Sequence, residues 1–236
     1  MSTIGVLHLL HLADSALPIG GAAHSFGLET LTSVGWLTPS HLPEFLNHYL
    51  VEAGALEASS CRRGHDLGVR PPGDAHAAAL VDDWLALNHE ISALKLARES
   101  RQASLKLGNR LLYLASDLTQ DDRLCTLLRS AEANGAGVHH ACAFGLIGAR
   151  LGLAVDSVTA AFLRQMVAGL VAACQKLTPL GQHQAAALLW ALYAQIDALA
   201  AAVSPSAPVS APPSFTPLVE VAGMRHPALG VRLFVS

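Results

Sequence analysis

Apolar positions recur at three- and four-residue intervals along nearly the whole chain, and alternating β-branched runs are rare, so the pattern predicts helices. A short apolar helix begins over Val6 to Leu12. Asp14 to Gly21 (DSALPIGG) breaks it, because Pro18 and the Gly20-Gly21 pair suit a loop. Helical character resumes from His24 to Val34. Thr38-Pro39-Ser40 then punctuates the chain, with Ser40 placed to cap a helix from His41 to about Ser59. Pro71, Pro72 and Gly73 make the next break, and Asp74 is the following cap candidate.

Asp82 to Asp117 reads as one long helix. Trp84, Leu87, Ile91, Leu94, Leu105 and Leu112 form one stripe, and Leu85, Leu96, Leu107 and Leu114 form a second on the opposite side, as expected of a central helix in a bundle. Arg98 and Arg101 intrude at the spacing of the first stripe. A buried guanidinium needs acceptors, so a buried polar network of Arg98, Glu99 and Arg101, with Glu90 as a further partner, is expected there. Asp121–Glu132, Val138–Leu151, Val155–Leu177 and Leu180–Val203 supply four more helices, with breaks at Gly135, Gly152 and Pro179. The fold class is all-α, a single-domain helical bundle of about eight to ten helices. Residues 1–203 form the bundle, the Pro/Ser/Ala-rich stretch 204–217 an extended linker, and 218–236 a docking segment of the same domain. That last segment carries Leu218, Val219, Val221, Met224, Leu229, Leu233 and Phe234. It is too apolar to hang in water, so it docks on this domain or on a partner.

Composition sharpens this picture. Hydrophobic residues make up 52% of the 236 and charged residues only 14%; soluble domains carry about 25% charged residues. Such a chain lies in a membrane or has its surface covered by other subunits. A spanning helix needs about 20 apolar residues in succession, and Arg150, Asp156, Arg164, Lys176 and Asp197 interrupt the greasiest stretches. The first Lys or Arg is Arg62, so no basic n-region of a secretory signal is visible. A cytoplasmic location and no membrane partner are therefore expected. Cys61, Cys125, Cys142 and Cys174 show no CxxC spacing and read as buried free thiols. A formal charge of −3 without a basic run argues against nucleic acid as a main partner.

The sequence contains neither GxxxxGK[ST] nor GxGxxG after a strand, so nucleotide chemistry by those routes is not expected. Ala23-His24-Ser25-Phe26-Gly27 resembles a degenerate serine elbow. It follows a loop rather than a strand, and a helix start is the better reading. Twelve histidines are present. His139, His140 and Cys142 are the tightest cluster, but adjacent side chains on a helix point about 100° apart and do not converge on one ion. His89-Glu90 lacks the second His of HExxH.

Five ordered segments carry a family resemblance. LLHLADSALPIGGAAHSFGLET (Leu9 to Thr30) resembles the opening signature of UreF, the urease accessory protein. RESRQASLKLGNRLLYL (Arg98 to Leu114) is similar to the family's central helix, and VHHACAFGLIGARLGL (Val138 to Leu153) to a later one. QKLTPLGQ (Gln175 to Gln182) and MRHPALGVRLF (Met224 to Phe234) follow in the family's order. Ala22-Ala23 stand where the family often has Phe-Ser, Pro227 where an acidic residue is common, and Gly230 where an aromatic is common.

The resemblance implies an all-α homodimer that binds the accessory subunit UreD/UreH and recruits the GTPase UreG. The assembly delivers Ni²⁺ to apo-urease, and this chain acts as a non-catalytic adaptor regulating GTP-dependent insertion. No cofactor is expected to be held stably, nickel being handled by the complex. By resemblance, Met224, Arg225, His226, Arg232, Leu233 and Phe234 form the docking tail, with Arg232 as its anchor. Pro18, Gly20, Gly21, His24 and Ser25 form a second interface, and Lys176, Gly181 and Gln182 contact the GTPase. The rival expectations are a small His-rich metal-binding enzyme and an unrelated structural subunit.

Overall fold

In the computed structural model, which describes residues 2–71, 74–202 and 216–235, the periodicity resolves into helices alone, with no strand among those residues. They are α1 (Thr3–Leu12), α2 (Leu28–Ser33), α3 (Leu42–Val69), α4 (Asp74–Leu94), α5 (Arg98–Thr119), α6 (Asp122–Ala133), α7 (His140–Arg150), α8 (Val155–Leu177), α9 (Gln182–Ala191), α10 (Tyr193–Ala202) and α11 (Pro217–Arg225). Only Leu192 separates α9 from α10, and counting the two as one gives 10 helices in an all-α bundle. The expected linker falls outside the described residues except for Thr216 and Pro217, and Pro217 already opens α11.

Helix α7 is the axis of the bundle. Every residue from Ala141 to Gly148 is buried, as in a helix apolar on all sides. It meets α3 backbone to backbone. A Cβ on Gly145 would sit inside the van der Waals envelope of Cys61 O and 2.9 Å from His65 N; one on Gly64 would strike Cys142 O in return. Two cores flank this contact. Trp84, Leu112, Leu124, Phe144 and Phe162 centre one, between α3, α4, α5, α6, α7 and the first half of α8. Leu28, Leu46, Leu163, Leu170 and Ile196 centre the other, between α2, α3, α8 and the α9–α10 pair. Helix α3 spans both, and Arg62 ties it outward through Asp156 Oδ1 at 2.5 Å and Ala200 O at 2.6 Å.

Several expectations need correction. The 82–117 segment is two helices, broken at residues 95–97 without Pro or Gly. Tertiary partners satisfy the free groups at the break. Ala97 N–H donates to Glu220, Arg101 Nη1 donates to Lys95 O at 2.7 Å, and Lys95 pairs with Glu57. Restarting the helix shifts its phase, so Arg98 is exposed and Glu99 and Arg101 are half-buried; the expected buried network does not form there. The ion pairs around the break are instead Glu57–Lys95, largely shielded from solvent, and Glu90–Arg63 at 2.7 Å. The second stripe fails with it, for Leu96 is exposed.

Other boundaries move as well. Helix α3 runs to Val69 because its glycines close onto α7, and His41 rather than Ser40 occupies its N-cap. The helix expected from His24 begins at Leu28. Against the expectation that charges interrupt every greasy stretch, α8 and the α9–α10 stretch are each long and apolar enough by composition to span a membrane, with mean hydropathy 1.5. Half of α8 is buried in the bundle, as suits a core helix, whereas α9–α10 keeps 22% buried and leaves Trp190 bare.

Candidate partner-binding surface

Backbone constraints shape the segment before α2. Gly20 takes φ +89° against the guanidinium of Arg110, whose Nη1 donates to Ile19 O at 3.1 Å. A 3₁₀ turn over Gly21–Ala23 follows, and Phe26 and Gly27 both adopt positive φ. Gly27 also lets α11 lie directly on the loop, since a Cβ there would be 2.9 Å from Val219 O. Glu29 follows in the first turn of α2, with only 5% of its surface exposed.

That carboxylate holds the chain's end. After α11, a 3₁₀ turn over His226–Ala228 brings the tail back across α2. Glu29 accepts from His226 Nε2 at 2.7 Å, from Leu233 N–H at 2.5 Å and from Phe234 N–H at 3.2 Å. Val235 N–H adds a bond to Ala23 O at 2.8 Å. Burial pushes the Glu29 pKa up, but the Leu233 amide, His226 and the Phe234 amide together outweigh it, and the net shift is downward. Phe234 is buried, with Lys176 Nζ 5.2 Å from its ring centroid in cation–π contact. Beneath lies a cavity of about 250 Å³, lined by Ile19, Phe26, Lys95, His140, Lys176 and Phe234 among others.

The structure thus gathers the 18–25 loop, the tail and Lys176 onto one surface. Pro18, Gly21, Met224, Arg225, Arg232 and Leu233 are exposed there, while His24, Ser25, His226 and Phe234 are buried. Gly181 and Gln182 stand exposed at the start of α9, where Gly181 N–H meets Gln184 Oε1 at 3.4 Å; no described hydrogen bond ties them to the Glu29 junction. Within the chain itself Arg232 makes no described hydrogen bond or ion pair. Its side chain is exposed, and Glu29 does the holding through the backbone of Leu233 and Phe234. Glu29 escaped sequence reasoning, although a carboxylate inside the apolar run GLETL was a visible anomaly.

The histidine cluster divides its duties. His139 is fully buried, with Nε2 2.8 Å from Ser92 Oγ and Nδ1 3.0 Å from Ser104 Oγ, so it stitches α4 to α5. Its neighbour His140 packs edge-on against Phe144 and Phe162. Among the described residues no three His, Cys, Asp or Glu side chains gather as a metal site. Burial pushes Cys61 and Cys174 up to about 12 and raises Cys142 further.

Burial, then Lys95 and Arg101, lowers the His139 pKa to about 3; burial and Lys95 lower His140 to about 4. Both folded values lie below the unfolded 6.5, so the unfolded chain binds more protons in between. Stability is then full above 6.5 and falls with acidification. His139 alone should contribute a slope of about 1.4 kcal/mol per pH unit. Urea unfolding at successive pH values below 6.5 should show this slope, reduced in a His139→Gln chain; a flat profile would refute it.

Fold and site together define an all-α bundle whose C-terminal segment is latched by a buried carboxylate beside a partly open pocket. A family model described as UreF matches residues 37–193. The urease accessory protein UreF of Paenarthrobacter aurescens (strain TC1) is 30% identical over the full length of both chains. That of a Nostoc species is 34% identical over 78% of this chain and 75% of its own. That of Actinobacillus pleuropneumoniae is 29% identical over 97% of each. The chain belongs to the UreF family of urease accessory proteins.

Proposed function

We propose that this chain is a non-catalytic adaptor of urease maturation. It works in the cytoplasm as a homodimer, joins a UreD/UreH-type subunit to the GTPase UreG, and regulates GTP-dependent insertion of Ni²⁺ into apo-urease. Nickel is cargo of the assembly rather than a resident of this chain. Family membership supports the urease context. The observation that carries the adaptor role is the latched tail: Glu29 fixes Leu233 and Phe234 by their backbone, leaving the side chains of Met224, Arg225, Arg232 and Leu233 facing outward beside the 18–25 loop. Exposed apolar and Arg side chains on a fixed scaffold are the composition of a recognition surface. Lys176, seated over Phe234, is a route by which tail docking is felt at the GTPase contact.

Co-expression with UreD/UreH and UreG tests this reading. The chain should co-elute with the accessory subunit, retain the GTPase only when that subunit is present, and turn over no GTP alone. Independent migration of the chain in the presence of both proteins would overturn it.

A further inference from the structure

Helix α5 carries an exposed ladder that the tail and loop do not account for. Arg98, Gln102, Lys106 and Arg110 follow at four-residue spacing and are all exposed, and Tyr113 extends the row with 67% of its surface bare. The arrangement is locally unfavourable. Arg98 is the first residue of the helix, where the macrodipole disfavours a cation. Lys106 and Arg110 are like charges four apart on one face. None of the three cations has an acidic residue three or four positions away. None of the three ladder cations joins an ion pair among the described residues, a state shared with other surface cations such as Arg129 and Arg164, but only these three line up on one helix face, and Arg110 alone of them is engaged, through Ile19 O. Violations of local rules without an internal compensation mark surfaces kept for an outside partner.

The ladder also adjoins both elements of the surface above. Arg110 holds the loop through Ile19 O, and α11 reaches the start of α5, where Glu220 takes the Ala97 N–H. Burial and then the charges of Lys106 and Arg110 lower the pKa of His24, so the field at the loop is positive.

We propose that the Arg98–Lys106–Arg110 ladder, with Tyr113 as its aromatic end, docks a carboxylate-rich segment of the accessory subunit that faces the tail. This rests on the adaptor reading. Guanidinium forks match carboxylates two bonds at a time, and Arg and Tyr are the side chains that dominate binding energy at interfaces. A nucleic-acid backbone fits less well, because three cations in one row are few beside the basic patch or stripe that such binding uses.

The test uses the full chain and the purified accessory subunit, with affinity measured calorimetrically at about 50 mM and about 300 mM salt. Wild-type binding should weaken with salt. Arg98→Glu/Lys106→Glu should bind about tenfold more weakly at low salt and lose most of the salt dependence. Arg98→Gln/Lys106→Gln should show a smaller loss in the same direction, and it serves as the reading if the charge reversal impairs folding by circular dichroism. Wild-type binding unchanged in both variants, in affinity and salt slope, overturns the ladder and leaves the adaptor standing. Failure of the wild-type chain to bind the subunit at either salt overturns both. Capture of a short DNA duplex by wild type, lost in the variants while subunit binding persists, overturns the ladder in favour of a polyanion site.

Discussion

Gly145→Ala should destabilise the chain by on the order of 3 kcal/mol or more, although alanine is the better helix former by about 1 kcal/mol. The sign is decided by what the new methyl meets. At Gly145 it meets the carbonyl of Cys61 and, at 2.9 Å, the amide of His65, both backbone of α3. Neither atom can rotate away as a side chain would, so α3 and α7 must separate. Doing so opens the fully buried contacts of Phe144, Leu146 and Cys142. Gly169→Ala provides the internal control. Gly169 is also helical, but exposed, with nothing within 4 Å of a Cβ. There only the propensity gain remains, and stability should rise by up to about 1 kcal/mol. Chemical denaturation of the two variants should move the midpoint in opposite directions. Equal shifts would mean that the α3–α7 contact is looser than its geometry.

How far such features could be read beforehand depended on the range of the interaction that produced them. Helices α6, α7 and α8 were legible within a residue or two because Asp121, Gly135, Gly152 and the apolar periodicity act locally. The break at residues 95–97 was not. No Pro or Gly marks it, and the groups that stabilise it come from α3 and α11, as Glu57 and Glu220. That one omission carried Arg98 from an expected buried network to the solvent. The length of α3 was hidden for a related reason. Its charged second half looks like a helix end until Gly64 and Gly68 are seen to admit α7. At the surface, the tail and loop were recognisable as segments by their family motifs. Their junction was not, because Glu29 and His226 lie 197 residues apart and pair only after folding.

That junction sets the other large expectation. Glu29→Ala should free the tail while leaving the helical bundle folded. The carboxylate is the common acceptor for one imidazole and two amides, all at the tail. Removing it strands the buried donors of His226 and Phe234, at about 1–3 kcal/mol each. The tail otherwise keeps one backbone bond to Ala23, the Phe234–Lys176 contact and the packing of α11, less than this loss would require to hold it. Hydrogen exchange at the Leu233 and Phe234 amides should therefore rise by orders of magnitude while amides of α7 stay protected. In the proposed adaptor role, affinity for the accessory subunit should fall with it, since the outward side chains lose their fixed placement. Acid should do the same to wild type. The folded Glu29 pKa lies below the unfolded value of 4.5. The anchorage is therefore complete above that value and disappears as pH drops through the lowered one. A Glu29→Ala chain whose tail amides exchange as slowly as the wild type at neutral pH would show that the strap is held by packing alone, and that the carboxylate is incidental.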